Sequence, residues 1–460
     1  MMLPNKLKRN LVAGACAFSA LLACGTVLAQ GSAPRSGGVM VVAVPNEPNN
    51  FMGLNQNRDN QYISTQLFPA LLEYGLDLKP KPSLAERWEI APDGLSYTFH
   101  LVPTARWSDG KPITSADVKF SILDMAIKYH PSGKQNFGMI SAIDTPDDHT
   151  VVFRLARPFS PLIALLGHMT ALVLPKHVYE GTDPFQNPNS INPKVTGGPF
   201  ILQERVAGDH VTLARNPNFM KPGRPYLDKI IFRFISDPSS RVVALEAGEA
   251  DYIASGGFPA NEIDRLKKVP GITVVGSGAE ATADVATFGF NLRRAPFDKA
   301  VVRRALSHAI NREFIQKSVA YGYSPLASGP LHPNSWAFDR QALSGLDYAY
   351  DPKLAEKMLD EAGYPRKAGG TRFAMTINSR PALFVYARTN EIIADNLRAI
   401  GIDAKIVPLE NAAYFQSVYV DWSFDLAGGL FISGYDPQNM AAIYTCEQIR
   451  PIPFANFMGY

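Results

Sequence analysis

Hydrophobic residues recur with a period of two in some segments of this chain and with the helical period in others, and the two kinds alternate from residue 38 onward. That alternation confines the fold to α/β or α+β layers of helix on sheet, and excludes both a β-sandwich and a helical bundle. Residues 38–44 form a short β-branched run and 60–72 carry helical spacing. Over 95–101, Leu95, Tyr97 and Phe99 alternate with Ser96, Thr98 and His100. Thr114 stands where an N-cap belongs, Asp117 follows three residues later, and Val118, Ile122, Met125 and Tyr129 then fall on one helical face. Residues 149–155, 210–215 and 229–235 read as strands. The spacing predicts one helix over 298–319, with Val302, Leu306, Ile310 and Val319 on its stripe. Asp351 caps a helix opened by Pro352 and closed by Gly363. A further helix over 389–400 buries Ile392, Ile393 and Leu397, stops at Gly401, and is followed by a strand at 402–407. At 460 residues the chain has room for two to four domains.

The first residues do not belong to that pattern. Lys6, Lys8 and Arg9 precede an uncharged stretch from 11 to 22, and small residues continue through Val27-Leu28-Ala29. This is the layout of an export signal, cleaved after Ala29. A lipoprotein site at Cys24 is the alternative, in which Cys24 would be acylated and held at a membrane, although Leu22 directly before Ala23 fits such a site poorly. An uncleaved anchor would need about 20 strongly apolar residues, where this run is diluted by Gly14, Ser19, Gly25 and Thr26.

The signal contains three basic residues and no acid. The whole chain has 45 Lys plus Arg against 42 Asp plus Glu, so the chain from Gln30 onward carries 42 of each. With no net charge and no basic block interleaved with aromatics, a nucleic-acid partner is not expected. Cys16 and Cys24 leave with the signal, so Cys446 remains alone and no internal disulfide can form.

Enzyme signatures are absent: the sequence has no Gly-x-Ser-x-Gly, no His-Glu-x-x-His and no Cys-x-x-Cys, and neither Gly110-Lys111 nor Gly133-Lys134 continues as a phosphate loop. His168 and His308 stand in apolar surroundings as structural histidines, and Cys446 has no histidine close by in sequence. No catalytic residue, metal or cofactor is expected.

Ordered blocks run along the rest of the chain. Leu84-Ala85-Glu86-Arg87-Trp88 is followed by Asp93-Gly94-Leu95-Ser96-Tyr97-Thr98-Phe99, and then by Trp107-Ser108-Asp109-Gly110-Lys111-Pro112-Ile113-Thr114-Ser115-Ala116-Asp117-Val118. Later come Gly197-Gly198-Pro199-Phe200, Arg215-Asn216-Pro217, Arg224-Pro225-Tyr226-Leu227-Asp228-Lys229-Ile230 and Ala244-Leu245-Glu246-Ala247-Gly248-Glu249-Ala250-Asp251. Phe290-Asn291, Pro296-Phe297, Val302-Arg303-Arg304-Ala305-Leu306 and Gly401-Ile402 complete the series. Taken alone each is scaffold; Trp107 to Gly110 is a tight turn in which Gly110 takes the left-handed conformation.

Together the blocks resemble family 5 of the bacterial extracytoplasmic solute-binding proteins, which serve peptide and nickel ATP-driven importers. The resemblance implies a type II periplasmic-binding-protein-like α/β fold, with two lobes closing over a ligand cleft and an extra domain. Domain I would comprise 30–78 and 195–287, domain II 79–194, and domain III 288–460. The implied partners are a small solute, peptide or otherwise, and an inner-membrane ABC permease complex, with the protein a periplasmic monomer.

The resemblance also implies a site. In peptide-binding members an acidic residue three positions before an Asp-Pro or Glu-Pro pair holds the peptide ammonium. Here the pair is Asp436-Pro437 and the position is Ser433, which cannot supply a charge-assisted bond. A one-residue shift between Asp425 and Asp436 would instead bring Asp436 toward the cleft; a turn or helix cap is the other reading of that pair. Gly428-Gly429 implies close backbone approach, by sheet packing or by ligand. Phe431 and Tyr435 would line an apolar wall. Glu47, Pro48 and Asn49 match a stretch whose backbone meets the ligand in relatives, and Trp336 is either packing or part of the cleft. Relatives continue past the Gly459-Tyr460 position, so a shortened end with uncovered apolar faces is expected. The other function classes left open are an exported hydrolase and a binding protein feeding a signalling receptor.

Overall fold

A computed structural model describes residues 34–54, 58–254, 257–276, 284–331, 333, 335–381, 384–432, 436–451 and 455–460. The export signal and the candidate residues Ser433 and Tyr435 lie outside the described residues.

The first strand, Val39–Val44, sits inside a five-stranded sheet, parallel to both Tyr252–Ile253 and Lys229–Phe234. His210–Arg215 and Phe200–Val206 extend the sheet antiparallel. A second, four-stranded antiparallel sheet is built from residues between these segments, in the order Ala85–Ile90, Ser96–Leu101, Thr150–Leu155, Ile140–Asp147. Ser96–Leu101 alternates buried and half-buried residues, with Tyr97, Phe99 and Leu101 inward, as its period of two predicts.

These two sheets share one hydrophobic core. It runs from Val42 and Phe51 through Leu67, Phe99, Trp107 and Phe153 to Phe200, Leu213 and Phe232. The other face of the first sheet buries Ala43, Val242, Ile253 and Leu266 in a smaller cluster. Two glycines let the seam close. A Cβ on Gly197 would lie 2.9 Å from the Trp107 ring, and one on Gly198 would lie 2.4 Å from the Gln66 carbonyl oxygen, so only hydrogen fits at either position.

The third sheet has the order Asp284–Phe290, Leu426–Ile432, Phe373–Ser379, Ile402–Pro408. Its last three strands are parallel and the first is antiparallel. Helices Ala300–Ala309, Pro352–Glu361 and Phe384–Ala399 bring Leu306, Leu359, Ile393 and Leu397 to a core that includes strand residues Met375 and Ile377. Tyr414, Val418, Phe424, Met440 and Phe457 form a separate cluster. The boundary expected at 287/288 falls inside Asp284–Phe290, all of which pairs in this sheet.

Several local expectations are met. Thr114 and Asp117 form the capping box, Gly110 has φ of 87°, and Asp351 caps its helix by accepting from the Leu354 amide at 2.9 Å. Others are corrected. The helix expected over 60–72 is Arg58–Leu67, and Leu72–Tyr74 is a strand paired with Pro80–Pro82. The single helix expected over 298–319 is two, Ala300–Ala309 and Arg312–Val319. Ile310 is extended between them, and Asn311 caps the second by accepting from Phe314 N at 2.9 Å. The helix expected after Thr114 is interrupted by a π-helix over Ser121–Ala126, yet Val118, Ile122 and Met125 are buried in one core and Tyr129, partly buried, packs against it. The helix expected from 389 begins at Phe384.

Candidate functional site

In open sheets with parallel strands, ligands meet the carboxyl ends of those strands, where loops leave the sheet and side chains are free of ladder pairing. Two such ends are present. One follows Val39–Val44, and the other follows Phe373–Ser379 and Leu426–Ile432.

At the first end the chain turns through residues 45–50. Glu47 is half-buried, Pro48 is buried and Asn49 is exposed. The Glu47 carboxylate is engaged by the protein itself: it accepts from Arg205 Nη2 through Oε1, and from the Gly208 amide through Oε2 at 2.8 Å. The same loop is held from the helix Arg58–Leu67. Asp59 accepts from Asn46 Nδ2 at 2.8 Å, and Asn60, fully buried, donates to the Asn50 carbonyl oxygen. The loop is thus fixed on two sides, with the Asn49 side chain left to solvent.

At the second end the charge is disposed differently. Arg380 directly follows Phe373–Ser379, and its guanidinium carbon lies 4.8 Å from the Tyr414 ring centroid and 5.5 Å from that of Phe415. Asn411 Oδ1 accepts from its Nη1 at 3.4 Å, and among the described residues no carboxylate lies within ion-pair distance. Tyr414 donates its hydroxyl to the Gly428 carbonyl oxygen, and burial raises its pKa to about 12, so it stays a neutral donor. The ladder pairs Asn378 with Ala427, which brings Arg380 level with the Gly428-Gly429 segment. Arg380 is therefore a cation flanked by two mutually perpendicular rings at a strand end.

The remaining expected residues divide. A Cβ on Gly428 would lie 2.8 Å from Phe288 and 3.0 Å from Tyr386, so Gly428 answers to sheet packing. Gly429 and Phe431 lie in the strand, paired with Thr287 and Val285. Asp436 accepts from Gln438 N at 2.9 Å, a turn just before the helix Gln438–Tyr444, and burial pushes its carboxyl pKa up. Trp336 is 69% exposed in its loop. Arg380 was missed by sequence reasoning; the signal that could have found it is an arginine directly ending a β-run, with paired aromatics downstream.

A separate groove of about 250 Å³ lies beside the π-helix, lined by Phe120, Met125, Tyr129 and Tyr179 among others. Its charges are spent locally, Lys128 on Asp124 at 2.7 Å and Glu180 on Lys176 at 3.4 Å. Among the described residues no group of His, Cys, Asp and Glu could hold a metal ion, and no helix is long and apolar enough to cross a membrane.

A parallel-centred sheet completed by a returning chain, a small antiparallel sheet inserted into it, and a third sheet with its own helices define a binding protein of the type II periplasmic class. The oligopeptide-binding protein AppA of Bacillus subtilis, solved with a nonapeptide, superposes with a TM-score of 0.74 at 25% identity, over 93% of this chain and 85% of that one. Residues 79–449 match the bacterial extracellular solute-binding proteins, family 5 (middle region), and the chain belongs to that family. A putative ABC transporter peptide-binding protein of Brucella ovis is 30% identical over 392 residues, covering 80% of this chain and 68% of the relative. The dipeptide-binding protein of Escherichia coli is 28% identical over 412 residues, 83% of this chain and 74% of that protein. The chain is a solute-binding component of an ABC importer, and its relatives are binding proteins and not enzymes.

Proposed function

We propose that this chain carries a small carboxylate-bearing solute, a peptide or a peptide-like conjugate, and that Arg380 receives the carboxylate. The observation that carries this reading is the Arg380 guanidinium, set beside the Tyr414 and Phe415 rings at the end of a parallel strand with no anionic partner among the described residues. A guanidinium donates two parallel hydrogen bonds to a carboxylate, and the flanking rings restrict where it sits before the ligand arrives. The loop at 47–49 offers backbone and shape, because the Glu47 charge is already matched by Arg205. Residue 433 is serine and brings no anion to a peptide ammonium, so selection runs through the carboxyl end.

In this reading the first two sheets form domains I and II and the third forms domain III. A monomer exported to the periplasm and cleaved after Ala29 closes over its solute and delivers it to an inner-membrane permease; acylation at Cys24 is the alternative tether. The direct test is calorimetric titration of the purified protein with a panel of short peptides and their C-terminal amides. Free-acid peptides should bind, and the amides should lose about 30-fold or more, the scale of removing one partner from a buried charge pair. Equal affinity for acid and amide would overturn the assignment.

A further inference from the structure

The body containing the first two sheets and the body containing the third are tied at a point away from both strand ends. The tie runs through Tyr323. Its hydroxyl donates to Asp264 Oδ1, and the Lys267 ammonium lies 4.5 Å from its ring centroid and 3.4 Å from its oxygen. Asp264 and Lys267 stand three residues apart at the short helix Ile263–Leu266. They occupy one edge of it, and the phenol sits on both at once, its oxygen at the anion and its face at the cation.

Both sides of this contact are rigidly mounted. Leu266 is buried with Ala43, Val242 and Ile253, so the helix is fixed to the back of the five-stranded sheet. Arg265, between the two contact residues, is committed to Glu246 at 2.5 Å and Glu262 at 2.7 Å, which leaves Asp264 to Tyr323. On the other side, Tyr323 follows the helix Arg312–Val319, whose Ile315 packs on the core of the third sheet, and Asn396 Oδ1 accepts from Asn311 N at 2.8 Å.

The turn that presents the phenol is specially built. Tyr321 and Gly322 have φ of 51° and 78°, and a left-handed tyrosine is a costly conformation unless its surroundings enforce it. Gln316 enforces it. Its carbonyl accepts from Gly322 N at 3.0 Å and its side-chain amide donates to the Ser324 carbonyl oxygen at 2.6 Å, closing the turn around Tyr323. Tyr323 is 39% exposed, so water can replace the contact when the bodies part.

We propose that Tyr323 is a latch between the two bodies, engaging Asp264 and Lys267 in the arrangement seen here and releasing them when the bodies reorient. The latch biases which arrangement the protein populates, independently of what the solute site binds. Single-molecule energy transfer tests it, with dyes on azidophenylalanine introduced at positions 204 and 357, one on each body. Tyr323→Phe keeps the ring and removes the hydroxyl, and should shift the ratio of the two distance populations by about three- to tenfold; Tyr323→Ala should shift it further. Adding Asp264→Ala to Tyr323→Phe should change nothing more, since both remove the same bond. Distance distributions that coincide for wild type and Tyr323→Ala, both melting as folded protein, would overturn the proposal. So would a double variant whose shift is the sum of two independent ones.

Discussion

The two strand ends carry opposite charges and use them in opposite ways. Glu47 is closed off by Arg205 and the Gly208 amide, in a loop further held by Asp59 and Asn60. Arg380 is braced by two aromatic rings and lacks any carboxylate partner among the described residues. A charge matched internally fixes a shape, whereas a charge braced by uncharged groups is available to a ligand. The difference assigns geometry to the first end and chemistry to the second.

The largest effect that could break this contrast is at Arg380. Arg380→Gln should weaken binding of free-acid peptides about 30- to 1000-fold by titration, while the melting temperature moves little because Tyr414 and Phe415 keep their packing. A large loss of stability with unchanged affinity would exchange the roles of the two ends. Next in size is an effect of acid on the first body. His130 is held neutral by burial, with its pKa lowered to about 4 from an ordinary 6.5, and burial does the same to His168. Between pH 6.5 and 4 the unfolded chain then binds more protons than the folded one, so stability is full above about 6.5 and falls as pH drops toward 4. Each histidine can contribute up to about 3 kcal/mol to that loss. Melts followed by hydrogen exchange should show the first body weakening in this window, and His130→Gln should flatten the dependence.

Asn60→Ala comes third. It removes the donor to the Asn50 carbonyl oxygen in a fully buried position, and should cost about 1–3 kcal/mol in denaturant unfolding. Affinity should fall by less than threefold, through loosening of the loop alone. The smallest effect is expected for Glu47→Gln, which keeps the shape and loses the charge facing Arg205; about 1 kcal/mol of stability should go, with free-acid affinity unchanged. Were Glu47→Gln to abolish binding, the first end would be supplying chemistry after all.

What the sequence made legible follows from where the signal is local. Ser96–Leu101 announces itself by alternation, and the Thr114 capping box and the Asp351-Pro352 start are short-range chemistry. The break at Ile310 was hidden because the apolar stripe continues across it, and only the Asn311 side chain ends one helix and caps the next. Likewise the π-helix at Ser121–Ala126 has no pattern of its own; Ser121 donates back to the Asp117 carbonyl oxygen and accepts from Leu174 N, a contact between residues 53 apart. For the site, the turn chemistry of Asp436-Pro437 was readable from the pair itself. Arg380 was not, since the rings that brace it are more than thirty residues downstream and reach it only when the parallel strands have formed.

The place of Val39–Val44 within the first sheet has a consequence for how the chain is made. It is an inner strand, and the strands on both its sides come much later; the Gly38 and Val41 amides donate to Asp228 and Asp251, 190 and 210 residues away. In a chain made from its amino end this apolar segment is present well before its partners and stays unpaired until residues 229–234 and 252–253 have followed. Its loop-closure entropy is then met all at once by strands arriving from the far side of an inserted sheet. Until residues 229–253 are present, residues 39–44 have an unpaired strand edge on each side that a neighbouring chain could take.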